Sequence, residues 1–196
     1  MSDLIRAVVQ HLGYFGVALL TLAETLFPPL PSEVIIPLAG LEAQRAAMSL
    51  PGVIAAGTLG SMAGNVFWYG VARRLGLARL RPLVERHGRW LTAHWSDIER
   101  GERYFQRHDA FFVFAARILP AVRTFISVPA GFAKMPVLRY LFWSTLGTAI
   151  WAGALAYAGW TLGARYAAVE QIIRPLTLVI IAPFLAWYLW RLLRVR

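Results

Sequence analysis

Glu24 and Glu33 stand on either side of a proline-rich break, Phe27-Pro28-Pro29-Leu30-Pro31, inside an otherwise apolar stretch. Arg117 and Arg123 stand on either side of a second break, at Pro120. One charge at the centre of a membrane helix costs roughly 2.5–3.5 kcal/mol, so four facing lipid would cost about 10–14 kcal/mol. The four must therefore face one another or water. If the two breaks meet, two carboxylates and two guanidiniums form a site that is neutral when empty. Arginine offers a planar fork of donors that grips phosphate oxygens in pairs and keeps its proton. Burial disfavours a charged carboxylate and a neighbouring arginine favours it, so a modest change of surroundings can protonate it. Protonating a Glu would then release an Arg to an anionic ligand, the chemical basis of proton-coupled anion transport. The same residues also fit a purely structural role as ion pairs that hold two hairpins together.

The neighbours are polar but less specific. Thr124 and Ser127 add hydroxyls beside the second break, which suits phosphate and equally suits capping of broken helices. Asn65 lies in an apolar span with Gly60 and Gly64 at small-xxx-small spacing, and helix packing is the role expected of it. His11, His87, His94 and His108 share no apolar segment with a paired carboxylate or a nucleophile motif. No Gly-rich phosphate loop or HExxH pattern occurs. The chemistry expected is transport rather than catalysis, with no cofactor and no metal.

The elements that must carry these charges follow from composition. The chain has 196 residues, 58% hydrophobic and only 15% charged, with mean hydropathy +0.55. That is too apolar for a soluble domain and describes a membrane protein. Without cysteine there is no disulfide framework and no thiolate metal site. A bilayer core of about 30 Å needs about 20 apolar residues. Segments 51–74, 137–163 and 168–193 meet that measure, whereas 12–43 and 109–133 are interrupted by prolines and read as re-entrant hairpins. Whether Leu4 to Phe27 crosses fully or forms one hairpin arm decides where the N-terminus lies. With Asp3 and Arg6 it has no basic region of the kind that opens a removable signal peptide. Broken backbone survives at membrane depth only when packed in protein or lining a wet cavity.

The two halves resemble each other. Thr58-Leu59-Gly60 to Leu75-Gly76 and Thr145-Leu146-Gly147 to Leu162-Gly163 are blocks of equal length with matching ends, and Pro29 with Ala39-Gly40 repeats as Pro120 with Ala130-Gly131. Charge sets direction. Between Arg73 and Asp109 there are nine Arg against five acids, and Arg191, Arg194 and Arg196 close the chain. This placement follows the positive-inside pattern and puts the C-terminus in the cytoplasm. It also accounts for the +10 charge without nucleic acid. One span then runs inward and the other outward, an inverted-topology repeat. Segment 77–106 reads as one or two amphipathic helices, broken near Pro82 and Gly88 and ending by Gly101, lying on anionic phospholipids at the cytoplasmic face. The fold expected is an all-α polytopic membrane protein, one domain over 1–196: hairpin plus span, twice, then a C-terminal helix.

These residues carry a resemblance to the DedA family, which shares the VTT (SNARE-associated) domain. The likeness covers Leu12 to Gly163 and lies in Glu24-Thr25-Leu26-Phe27-Pro28-Pro29-Leu30-Pro31-Ser32-Glu33, Gly60-Ser61-Met62-Ala63-Gly64-Asn65 with Tyr69 and Arg73, and Arg117-Ile118-Leu119-Pro120-Ala121-Val122-Arg123-Thr124. It implies a bacterial inner-membrane protein with two opposed hairpins that moves a phosphate-headed lipid, notably undecaprenyl phosphate, using the proton-motive force. It places the essential acidic pair on Glu24 and Glu33 and the essential arginines on Arg117 and Arg123. In that reading Arg117, Arg123 and Thr124 bind the headgroup, and Glu24 and Glu33 couple protons. Another lipid flippase, a proton-coupled ion antiporter and a non-transporting scaffold are the alternatives, and a homo-oligomer is compatible with each. Where many members have Gly-Asp this chain has Gly64-Asn65, which cannot titrate.

Overall fold

The computed structural model describes residues 2–27, 32–91, 95–119, 122–123 and 125–163, with side chains for all of these except 2–4, 32–33, 77–78 and 80–104. The span expected at 168–193, Thr124 and the side chain of Glu33 lie outside the described residues. Six helices follow in order: α1 (Ser2–Leu26), α2 (Ser32–Gln44), α3 (Leu50–Leu91), α4 (Trp95–Ile118), α5 (Ser127–Phe132) and α6 (Val137–Leu162). All regular structure among the described residues is helical, as an apolar chain requires when its backbone must satisfy its own hydrogen bonds in lipid. Ile5–Leu26, Leu50–Gly76 and Val137–Leu162 are long and apolar enough to cross a membrane. The expected spans 51–74 and 137–163 coincide with two of these within three residues.

The open question of Leu4 to Phe27 meets a helix that starts at Ser2 and is apolar over Ile5–Leu26, long enough to cross a membrane. It is nonetheless divided, because Gly13 sits at φ 55, ψ −132, a conformation that L side chains rarely adopt. In segment 77–106 the breaks expected near Pro82 and Gly88 do not occur, and helix does not end by Gly101. Instead α3 turns at Gly76 (φ 68) and continues to Leu91. α4 runs from Trp95 through Gly101 to Ile118, irregular only at His108. A proline inside a helix removes one hydrogen bond but does not force a turn, whereas a glycine at positive φ redirects the axis.

Helix directions follow from the contacts. α1 and α3 run parallel: the Tyr14 hydroxyl donates to Ser49 Oγ, just before α3, at 3.1 Å, and further along both helices Trp68 Nε1 donates to the Thr25 carbonyl at 3.1 Å. α2 returns along α1, so that Gln10 Nε2 reaches Glu42 Oε1 at 3.1 Å. α3 and α6 are antiparallel, with Met62 against Ser144 and Tyr69 stacked on Tyr140 at 4.2 Å. The second part of α4 runs parallel to α6, from the Asp109–Arg139 pair at 3.3 Å to Arg117 against Gly147. α2 packs on α6 and α5 packs on α3. One apolar cluster gathers Val17, Ile35, Val53 and Ala156, and a second gathers Tyr69, Val113, Ala130 and Tyr140. The polar residues considered below lie between the two.

Small residues allow these approaches. A Cβ at Gly60 would collide with the Ala18 carbonyl and Thr21 Oγ1, and one at Gly64 with Thr25. The expected small-xxx-small seam therefore packs α3 on α1. Gly60→Val should destabilise the protein by about 1–3 kcal/mol through overpacking, read as a lower unfolding midpoint in detergent. Gly153→Ala is the control, since its Cβ would meet only Ile54 Cδ1, at 3.8 Å, and its midpoint should match wild type.

Candidate functional site

Arg117 closes the last full turn of α4 and is 2% exposed. A guanidinium has five N–H donors, and all five are used. Nε donates to Ser144 Oγ at 2.9 Å. Nη1 donates to Asn65 Oδ1 at 2.8 Å and to the backbone carbonyl of Arg123. Nη2 donates to Ser127 Oγ at 2.8 Å and to the Tyr140 hydroxyl at 3.0 Å. These acceptors come from α3, α5, α6 and the turn after α4, so one side chain ties four parts of the fold. Ser127 Oγ also donates to Asn65 Oδ1 at 3.2 Å, and the Tyr140 hydroxyl lies 2.9 Å from Ser127 Oγ. The charge is buried but surrounded by oxygens, which is the condition for burying it at all.

Arg123 has a different setting. It sits in the turn after α4, and its Nη2 lies 2.5 Å from Glu24 Oε1 on the last full turn of α1. Its guanidinium also stands over the Trp151 ring, 5.5 Å from the centroid. Glu24, Arg123, Ser61, Asn65, Thr148 and Trp151 line a small open pocket that reaches the buried Arg117. An ion pair across a polar pocket is an exchangeable contact, since an incoming anion can take the place of the carboxylate on the guanidinium. The fork geometry suits phosphate or carboxylate oxygens.

Of the residues singled out from sequence, Glu24, Arg117 and Arg123 come together here, and Arg123 pairs with Glu24. Glu33 and Thr124 fall outside the described side chains. Ser127 is buried in the network rather than capping a helix, with no side-chain cap on α5. Asn65, expected to serve packing, is a direct acceptor for Arg117. Tyr140, Ser144, Thr148 and Trp151 were not singled out. Their signal was a polar stripe at helical spacing, 140, 144, 148 and 151, along an otherwise apolar span, matched by Thr58, Ser61, Asn65 and Tyr69 on α3. Beyond the pocket, Tyr69 donates to the Met135 carbonyl at 2.5 Å, and Arg73 Nη1 reaches both groups at 2.6 Å, tying α3 to the start of α6.

The VTT domain family model matches residues 13–161. A protein of Lactococcus lactis subsp. cremoris named "Alkaline phosphatase-like protein" is 38% identical over 93% of this chain and 86% of its own length. "Undecaprenyl phosphate transporter A" of Bacillus subtilis is 32% identical over 88% of this chain and 84% of its own. The protein of that name from Staphylococcus aureus is 31% identical over 83% and 80%. No solved structure matches. Three apolar helices of spanning length and these relatives make the chain a multi-pass membrane protein. A family match across most of the chain, with the paired charges and Gly-rich seams inside it, means that the chain belongs to the VTT domain (DedA) family.

Proposed function

We propose that this protein carries a phosphate-headed lipid, undecaprenyl phosphate first among them, across the bacterial inner membrane in exchange for protons. The observation that carries the reading is the Arg123–Glu24 pair on the wall of a polar pocket. Arg123 takes the phosphate when Glu24 is protonated and lets go, and it returns to Glu24 when the proton leaves. Arg117 holds the turn that presents Arg123, through its bond to the Arg123 carbonyl. Glu33 and Thr124 belong to the same reading, as a second proton carrier and a headgroup contact. The relatives named undecaprenyl phosphate transporter A support the substrate.

The proposed architecture is an inverted repeat of re-entrant hairpin plus span. Tyr14–Leu26 and α2 are thirteen residues each, about 20 Å, and Asp109–Ile118 is about 15 Å. Each is short of the roughly 30 Å core. In both halves the first arm packs parallel to its own span through a glycine, Gly60 against α1 and Gly147 against α4. In both, the second arm presses a glycine on the backbone of the other half's span, Gly40 on Ala156 and Gly131 on Tyr69. The two spans are antiparallel, which is what inversion requires.

The test is reconstitution in proteoliposomes with labelled undecaprenyl phosphate under an imposed pH gradient. Wild type should move the lipid and dissipate the gradient, and Arg123→Ala should lose at least about tenfold, the effect of one charged hydrogen bond. Equal lipid movement in both proteins rejects the proposal. Release of inorganic phosphate from the lipid by wild type would instead support an enzyme, in line with the phosphatase-like name of some relatives.

A further inference from the structure

Trp151 lies two turns beyond Ser144 on α6 and lines the pocket with Arg123 and Glu24. Its ring carries the Arg123 guanidinium on one face. Its Nε1 is buried and has no hydrogen-bond partner, the one such side-chain nitrogen or oxygen among the described residues. Buried indole N–H groups ordinarily find an acceptor, and an exception in a folded protein calls for an explanation such as a ligand. Every other buried side-chain nitrogen or oxygen among the described residues has a partner within the protein, including all five donors of Arg117. The one unsatisfied buried side-chain donor among the described residues therefore belongs to a residue that lines the pocket.

The donor set also limits what can answer it. Neither an indole N–H nor a guanidinium can accept a hydrogen bond. A group serving both must be an acceptor, and a guanidinium beside a neutral N–H favours an anionic one, which a phosphate is and an alcohol or amine is not. With the Arg123 guanidinium over the ring face and the N–H in the ring plane, two oxygens on one centre can serve both donors at once. We propose that Trp151 is a headgroup-binding residue, its indole N–H donating to one phosphate oxygen while Arg123 holds another. This rests on the reading that the pocket takes a phosphate.

The full-length protein labelled with ¹⁵N at its tryptophan indoles tests this in detergent. It contains eight Trp, and Trp151→Phe identifies the Trp151 resonance by its loss while the other indole signals report that the variant is folded. Three probes are titrated: undecaprenyl phosphate, the same lipid alcohol without phosphate, and inorganic phosphate. The Trp151 signal should move with undecaprenyl phosphate and not with the alcohol, and Trp151→Phe should bind the phosphate lipid about tenfold or more weakly. A Trp151 signal unmoved at saturating phosphate lipid, or unchanged affinity in Trp151→Phe, overturns the inference while leaving the transport reading standing. Movement with inorganic phosphate alone supports the N–H contact and removes the lipid as its source. If Arg123→Ala binds the phosphate lipid as wild type does, the pocket is not the phosphate site and both readings fall.

Discussion

Arg117→Met should abolish transport by unseating the fold around the pocket, and Arg117→Lys should fail nearly as badly. The substitution to Met strips five acceptors of their donor at once, among them Asn65, Ser127, Ser144 and the carbonyl of Arg123. Lysine keeps the charge but has three donors on a point, not five on a fork, and cannot reach α3, α5 and α6 together. Breaking a buried, hydrogen-bonded charge site costs about 3–5 kcal/mol, a large share of the 5–15 kcal/mol typical of a folded protein. Both variants should therefore show a lower unfolding midpoint in detergent as well as lost lipid movement. An Arg117→Lys protein that unfolds with wild type and transports normally would show that the fork geometry is not needed.

Glu24→Gln should behave in the opposite way, with transport lost and the fold retained. The substitution leaves Arg123 without its 2.5 Å carboxylate partner but keeps a side chain of the same shape on the last turn of α1. Phosphate lipid should bind at least as tightly as in wild type, because no carboxylate competes for the guanidinium. Net movement should fall about tenfold or more, since release then lacks the group that displaces the phosphate. If protonation of Glu24 is the trigger, wild-type affinity rises as pH falls and Glu24→Gln affinity is flat. Flat affinity in wild type too would remove the proton-coupling role of Glu24. The double variant Glu24→Arg with Arg123→Glu separates transport from scaffolding. A scaffold needs only the pair, and regains function in the swap. A phosphate site does not, because the swapped guanidinium leaves the turn that Arg117 holds.

The proline breaks, the spans and the charges between them were legible in the chain because each rests on a property that does not depend on neighbours. A charge at membrane depth is expensive wherever it points, and a proline lacks its N–H in every context. Gly60 and Gly64 were readable as a seam for the same reason, since only a small residue lets two backbones approach. The limits appeared where a local rule admitted two outcomes. Gly88 is tolerated inside a helix at a cost of about 1 kcal/mol, whereas Gly13 and Gly76 adopt positive φ. Nothing in their own neighbourhoods distinguishes the three.

By itself, then, the sequence determined a helical membrane protein with two glutamates and two arginines that must avoid lipid, and the family motifs that carry them. Only the tertiary structure decided how the charges divide. Arg117 became a buried tie and Arg123 the partner of Glu24, because Arg117 lies on the last turn of α4 with its guanidinium inward, whereas Arg123, six positions on, reaches across to α1. It also decided that Asn65, Tyr140 and Ser144 serve Arg117, and that Trp151 is left with a donor to spend. Those assignments depend on which faces of α3 and α6 meet, and an antiparallel crossing of two helices is set by packing along their whole length rather than by any one residue.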